Sequence, residues 1–371
     1  MKTLVKDIRI VTKKDIQSVL DQNMPIAFPT ETVYGLGAKI DDIVAIKKIF
    51  MLKKRPLKNP MIVHVSNQKM ISSVVLNIPK DAKKLIKNFF PGPLTLILKK
   101  KKTLNSLITA NMETVGIRMP SNKTALKLLD LIGQPIVAPS ANVSGKPSST
   151  NYKHVLDDFD GKIPLLIKGE EISLGIESTI IDMTVNPYVI LRPGIITSDQ
   201  IEKVLLKKLG TVSKTIAPGM IYPHYVPSKP LTVLEGDHDQ IRNFLKSKEG
   251  SIFIGDSLKY KDIPNFVSMG EGKDQLIINL YKTLRSLDNY KGEEVFTHVV
   301  DHRGYMNRLM KASEGRLIKL SIENWKHFNF IQENNHYISW AFALVNKTKY
   351  KGTNKYETPR YKILFNFKIY Q

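Results

Sequence analysis

The chain has 371 residues, a length that suits two domains better than one and leaves room for a sizeable core. Hydrophobic residues make up 42% and charged residues 24%, globular proportions that set aside wholesale disorder and the fibrous classes. There is no cysteine, which excludes disulfide scaffolds, Cys zinc sites, iron–sulfur clusters and thiolate nucleophiles and accords with a reducing compartment.

Lys and Arg number 56 against 34 Asp and Glu, a formal charge of +22. Much of the excess falls in residues 47–102, where 15 basic groups meet one acid, Asp81. Many of these lysines, such as Lys99 to Lys102, read as ordinary solvated runs. The sharper reading is a field that attracts a polyanion, either a nucleoside triphosphate or RNA. The N-terminus is charged, with no apolar signal-peptide core, and no stretch approaches the roughly 20 apolar residues of a membrane span. The expectation is a cytoplasmic protein with no membrane partner.

Residues 25–28 read as a short strand stopped by Pro29, and residues 41–52 as a helix capped by Asp41 or Asp42 with Ile46, Ile49 and Phe50 inward. Apolar runs follow at 61–65, 94–98, 115–119, 135–138, 163–167, 178–183 and 188–191, with helical patterns at 79–89, 122–132 and 198–209. Strands interleaved with helices, some joined by short turns, predict an α/β domain with a mixed sheet over residues 1–210. Residues 211–230 hold Pro218, Gly219, Pro223, Pro227 and Pro230, too many breakers for a packed element, and read as a directed linker. Beyond it, 231–234, 251–255 and 294–299 look like strands and 238–247 and 273–287 like helices. That βαβαβ rhythm predicts a small Rossmann-like parallel sheet covered by helices over residues 231–320. Residues 321–371 carry both tryptophans and 12 of the 30 aromatics, a tail with no assigned role.

Familiar motifs fail on inspection. Gly35-Leu36-Gly37 has Ile40 where a dinucleotide fingerprint needs its third glycine, and Ser144-Gly145-Lys146-Pro147 lacks the spacing and hydroxyl of a P-loop. No Gly-x-Ser-x-Gly elbow or His-Glu-x-x-His helix is present. What remains is polar residues where strand ends should be. Pro29-Thr30-Glu31-Thr32 sets hydroxyls and a carboxylate beside Gly35 and Gly37, which would let a ligand approach the backbone, although read alone it could be a turn. Lys53-Lys54-Arg55-Pro56 would close the helix before it simply by complementing its C-terminus. Asn59 and then His64 add polar groups to an apolar strand, where a lone histidine is more often structural. Arg118 in Val115-Gly116-Ile117-Arg118-Met119 needs a partner, protein carboxylate or ligand. Ala138-Pro139-Ser140-Ala141-Asn142 through Ser148-Ser149 is a loop of small residues, hydroxyls and amides, suited to a sugar, a base or phosphates.

Taken together, Phe28-Pro29-Thr30-Glu31-Thr32-Val33-Tyr34-Gly35-Leu36-Gly37, Lys53-x-Arg55-Pro56 with Ser140-x-Asn142, Pro91-Gly92-Pro93-Leu94-Thr95, Gly116-Ile117-Arg118-Met119-Pro120 and Glu177-Ser178-Thr179-Ile180 resemble the YrdC-type threonylcarbamoyl-AMP synthases. Residues 217–227, followed by an α/β domain, resemble the longer, two-domain branch. The likeness covers roughly residues 10–318. It is weaker beyond 230, where Arg308-Leu309 lies in the best-matching patch. The resemblance implies a YrdC-like mixed twisted sheet and an ATP-dependent synthesis. L-threonine and bicarbonate or carbon dioxide form N-carboxythreonine, which takes AMP from ATP and releases pyrophosphate, for a separate transferase that modifies tRNA.

Carried over by position, the resemblance places Arg55, Asn59, Thr114, Ala138, Ser140, Ser148, Arg192 and Tyr225 on ATP, and Thr32, His64, Arg118 and Ser178 on threonine. Asn142 joins the ATP group, and Lys53 with Arg55 is read as catalytic: with a magnesium ion brought by ATP, they would offset charge building on the phosphates. The linker would act as a lid through Tyr225. The rival readings are an RNA-binding protein of this fold with weak, electrostatic tRNA affinity, and an adenylate-forming enzyme for another amino acid.

Overall fold

The computed structural model describes residues 2–211 and 225–320. Ten strands, β1 (Leu4–Asp7), β2 (Ile26–Phe28), β3 (Gly35–Lys39), β4 (Ile62–His64), β5 (Leu94–Lys99), β6 (Thr114–Arg118), β7 (Ile136–Val137), β8 (Leu165–Lys168), β9 (Thr179–Asp182) and β10 (Val189–Arg192), form one sheet. Its order is β1-β8-β2-β3-β7-β4-β6-β5-β9-β10. The pairing is mixed: β4 runs parallel to β6, and β7 runs antiparallel to β4. Side chains alternate across a strand, so Val63 and Ile117 point into the main core with helix Ile43–Lys53, whose Ala45, Ile46, Ile49 and Phe50 are buried there. Ile62, His64 and Arg118 point the other way.

That second face is covered over β1, β8 and β2 by helices Lys13–Leu20 and Lys123–Ile132, which pack Ile16, Val19, Ala125 and Leu128 onto Ile26, Phe28 and Leu165. The centre of the sheet is left to form a cleft. The helices start where their caps dictate: Asp42 accepts from the Ala45 amide, Asn122 from those of Thr124 and Ala125, and Thr12 with Asp15 closes a capping box.

The second domain is an all-parallel sheet of β11 (Leu231–Glu235), β12 (Ile252–Gly255), β13 (Phe266–Ser268), β14 (Val295–His298) and β15 (Leu317–Lys319), in the order β13-β12-β14-β11-β15. Its fifteen-residue helix Gly272–Ser286 and helix Arg303–Ala312 face the first domain. One apolar cluster spans both domains, joining Val33, Ile176 and Tyr225 to Leu276, Ile277, Leu280 and Leu309. Two glycines make that contact close. A Cβ on Gly175 (φ +72°) would lie 2.3 Å from the carbonyl oxygen of Ile278, and one on Gly304 would lie 2.7 Å from that of Gly194.

Fold class and most elements agree with the sequence reading, including Asp42 as the cap. Strand β3 does not. The Gly35–Gly37 run, read as a loop open to ligand, is a strand in the sheet interior, and a Cβ on Gly37 would come within 2.9 Å of the Phe28 ring. The glycine there makes room for a neighbour's side chain. Strands β1, β13 and β15 and helices Lys13–Leu20, Gln68–Val74, Tyr152–Phe159 and Arg303–Ala312 also lay outside the expectation. The tail 321–371 and linker residues 212–224 lie outside the described residues.

Candidate active site

The cleft lies over the sheet centre, lined from β4 by Ile62 and His64, from β6 by Arg118, from the segment after β7 by Ala138, Pro139, Ser140 and Asn142, and from β10 by Arg192. Thr30, Val33, Tyr34 and Gly35 line it from the first motif, and Arg55, Ser148, Glu177 and Tyr225 complete it. Nine of the fourteen residues anticipated from sequence meet here: Arg55, His64, Arg118, Ala138, Ser140, Asn142, Ser148, Arg192 and Tyr225.

The other five stand behind or beside the lining. Thr32 is fully buried, its hydroxyl 3.0 Å from that of Thr30. Ser178 is fully buried between the Thr95 hydroxyl at 2.8 Å and Arg192 Nη2 at 3.1 Å. Asn59 lies beside Arg55, whose Nε donates to the Asn59 carbonyl at 3.1 Å. Thr114 shares the cleft face of β6 with Arg118, four residues and about 13 Å back along the strand. Lys53 is the marked difference. Neither exposed as a helix-end cation nor in the cleft lining, its ammonium is buried and donates to the carbonyls of Ser140 and Asn142, the latter at 2.5 Å. Burial, and next the charge of Arg55, push its pKa well down. Lys53 therefore ties the Ser140–Asn142 segment to the helix that Lys54 ends in the left-handed region. Of the linker, only Tyr225 and the residues after it are described; the expected lid otherwise lies outside.

Two carboxylates received no role in the sequence reading. Glu31 is buried with an oxygen 2.7 Å from Arg118 Nη2. It sits off the N–H directions, so Glu31 Oε1 and Oε2 and Arg118 Nε and Nη2 have no hydrogen bond. Buried donors and acceptors left this way are costly, and an incoming carboxylate could fill the Arg118 fork with two charge-assisted bonds. His64 lies against Arg118 in register. Burial, and next the Arg118 charge, lower its pKa to about 3, so the ring is neutral at pH 7.

Glu177 is in the opposite condition. Its Oε1 accepts from Ser148 Oγ at 2.6 Å, and its Oε2 from Tyr281 Oη at 2.8 Å and Arg308 Nε at 3.1 Å. Burial alone would raise its pKa, but Arg308 and Arg192 beside it, with the Ser148 and Tyr281 hydrogen bonds, hold it at about 2. Burial, and next the charge of Arg308, bring Arg192 down to about 10. Tyr225 stacks on Tyr281 at 4.9 Å between ring centres. Glu31 and Glu177 both stood inside quoted motifs; the signal for Glu177 was its neighbour Ser178, while two of its three side-chain partners, Tyr281 and Arg308, lie more than 100 residues away.

Among the described residues, no group of three or more His, Asp or Glu is placed to hold a metal ion, and no helix is long and apolar enough to cross a membrane.

Comparison with known proteins matches both domains. A family profile described as Telomere recombination (Sua5_yciO_yrdC) matches residues 18–194, and one described as threonylcarbamoyl-AMP synthase, C-terminal domain, matches residues 196–314. The threonylcarbamoyl-AMP synthase of Pyrococcus abyssi is 42% identical over 313 residues, covering 80% of this chain and 92% of that one. That of Bacillus subtilis is 40% identical over 322 residues, covering 81% and 93%. The crystal structure of Pyrococcus abyssi Sua5 complexed with L-threonine superposes with a TM-score of 0.79 at 36% identity, covering 86% of this chain and all of that one.

Proposed function

Because this chain belongs to the threonylcarbamoyl-AMP synthase family of adenylyl-transferring enzymes, we propose that it makes threonylcarbamoyl-AMP and pyrophosphate from ATP, L-threonine and bicarbonate or carbon dioxide. The observation that carries this reading is the buried Arg118 fork in the cleft, with Nε and Nη2 lacking hydrogen bonds. A planar guanidinium in that state suits an amino-acid carboxylate, and a relative of the same fold has been solved with L-threonine.

In this reading Arg118 binds the threonine carboxylate. Neutral His64, with Thr32 and Ser178, shapes the pocket for the rest of the amino acid. The threonine nitrogen adds to carbon dioxide and loses a proton, giving a carbamate. A carbamate oxygen then attacks the α-phosphorus of ATP, and the bond to the β-phosphate oxygen breaks to release pyrophosphate. The chain need supply no nucleophile; its work is to place the two reactants and to offset charge growing on phosphate oxygens. Arg55, Ser140, Asn142, Ser148, Arg192 and Tyr225 form the nucleotide side, with Asn59, Thr114 and Ala138 along it. Lys53 contributes by fixing the segment that carries Ser140 and Asn142. Magnesium enters as part of the substrate, bound to the phosphates of ATP, and adds positive charge there. The product serves a separate transferase acting on tRNA.

The test is pyrophosphate release from ATP with L-threonine and bicarbonate each present or omitted. Release that needs both supports the assignment. Release without threonine, or with another amino acid in its place, would sink it. So would no release combined with tight, salt-sensitive tRNA binding, which is the signature of an RNA-binding role.

A further inference from the structure

Among the described residues the second domain gives no side chain to the lining of the cleft. It nevertheless holds one wall from behind. Arg308 is fully buried, and each nitrogen of its guanidinium is used. Nε donates to Glu177 Oε2 at 3.1 Å, Nη2 to the Glu177 carbonyl at 3.2 Å, and Nη1 to the carbonyls of Pro193 and, at 3.2 Å, Gly304. The first-domain targets lie on two separate segments, each adjoining a predicted substrate contact: Ser178 follows Glu177, and Arg192 precedes Pro193. Those two segments also meet directly, through Arg192 Nε on the Ser178 carbonyl at 3.1 Å. Tyr281, on the neighbouring helix of the second domain, holds Glu177 Oε2 and stacks on Tyr225. The other oxygen of Glu177 takes the hydroxyl of Ser148.

A buried ion pair of this kind is weak evidence for net stability, since apolar replacements of both partners are often as stable. What a planar fork with fixed donors does supply is geometry. We infer that Arg308 is a positioning residue for the nucleotide side of the cleft: it sets the spacing between the Glu177–Ser178 and Arg192–Pro193 segments and, with Tyr281, aims the carboxylate that orients Ser148. It touches no substrate. The close approach of Gly304 to Gly194 brings its helix near enough for the guanidinium to reach both carbonyls. Lysine could not do the same, because a single ammonium lacks the in-plane pair of donors that grips the carboxylate and the carbonyl of Glu177 together.

The assignment of this wall to ATP rests on the function proposed above, so the experiment reads nucleotide binding apart from turnover. Full-length wild type, Arg308→Lys and Tyr281→Phe are compared for thermal midpoint, for ATP affinity by calorimetry without threonine, and for the KM of each substrate in pyrophosphate release. A folded Arg308→Lys with ATP affinity and ATP KM worsened about 10- to 100-fold is expected. Its threonine KM should move less than about threefold, because Ser178 keeps its own anchor on Thr95 at 2.8 Å. Tyr281→Phe should shift in the same direction by less. Unchanged ATP binding in folded Arg308→Lys would overturn the inference. So would ATP and threonine affinities falling together in step with a loss of folded protein. If Arg308→Lys does not fold, Tyr281→Phe decides, since it removes one hydroxyl: an ATP-selective shift supports the inference and none refutes it. Wild type that binds ATP but releases no pyrophosphate with threonine would count against the proposed reaction, while the calorimetric comparison would still judge Arg308.

Discussion

Behind one wall of the cleft Arg118 and Glu31 lie buried side by side with hydrogen-bonding capacity left over; behind another Arg308 and Glu177, equally buried, have theirs filled. Both pairs join a guanidinium to a carboxylate, yet they are built for different ends. The first pair holds opposite charges 2.7 Å apart while polar atoms of both partners keep no hydrogen bond, a costly condition. The second is completed by protein alone, and its order is passed to residues that face the cleft. A binding site needs both conditions: a place with hydrogen-bonding capacity to spare, and a frame with none.

The largest effect expected from breaking this contrast is on stability. Arg308→Met takes from the buried Glu177 carboxylate its hydrogen-bonded cation and should cost about 3–5 kcal/mol in chemical denaturation. Adding Glu177→Gln to the same chain removes the stranded charge and should recover most of that loss while ATP use stays poor. If the double variant is no more stable than the single one, the pair is not the closed unit described here. Next, Arg118→Lys keeps a charge beside Glu31 but gives up the fork. Its kcat/KM for threonine should fall about a hundredfold or more, the equivalent of two charge-assisted bonds, with ATP affinity nearly unchanged. An ATP defect of equal size would mean that the unfilled wall is not the amino-acid wall.

Acid supplies a third test. The His64 ring titrates near 6.5 in an unfolded chain and at about 3 when folded, so between those values the unfolded state holds the extra proton. The stability tied to its burial is intact above pH 6.5 and is lost as pH falls toward 3, with a slope of at most about 1.4 kcal/mol per pH unit. Glu177, depressed from 4.5 to about 2, works in the same direction, and its share is lost as pH drops below 4.5. Denaturation midpoints measured from pH 7 to 5 should therefore slope downward in wild type and less steeply in His64→Gln, where burial still lowers the pKa values of His154, His298 and His302. An equal slope in both would show that the ring does not titrate as described. The smallest effect serves as a reference: Thr12→Ala removes the capping box of helix Lys13–Leu20, a helix that gives no residue to the cleft lining. It should cost about 1 kcal/mol and leave both KM values unchanged.

Much of the frame was legible because local chemistry marks it. Asp42 announces its helix, and the apolar runs at 61–65 and 115–119 mark β4 and β6. The cleft side of Arg118 was also legible, since a guanidinium in an apolar strand calls for a partner. What escaped was whatever depends on long-range pairing. Glu177 meets Arg308 across 131 positions and Tyr281 across 104, and no periodicity or motif links them. Arg308 stood in the best-matching patch of the second domain without a role, because a role needs the carboxylate it meets. The placement of Lys53 escaped for a related reason: its sequence neighbours are the end of a helix, while its ammonium is satisfied by carbonyls near 140. Gly35 lines the cleft, but Gly37 was read through the freedom of glycine, when the bulk of Phe28 demands it.

The close contacts of Gly175 with Ile278 and of Gly304 with Gly194 bear on how such a protein can change over generations. Neither half tolerates a side chain where the other half's backbone sits, so the two halves are not interchangeable parts. A second domain borrowed from a distant relative would fit only if its backbone met these glycines at the same points and brought an arginine to the carboxylate beside them. Variation in one half is thus answerable to the other, and the wall of the cleft around Glu177 and Ser148 inherits that bargain although, among the described residues, the second domain never reaches the lining.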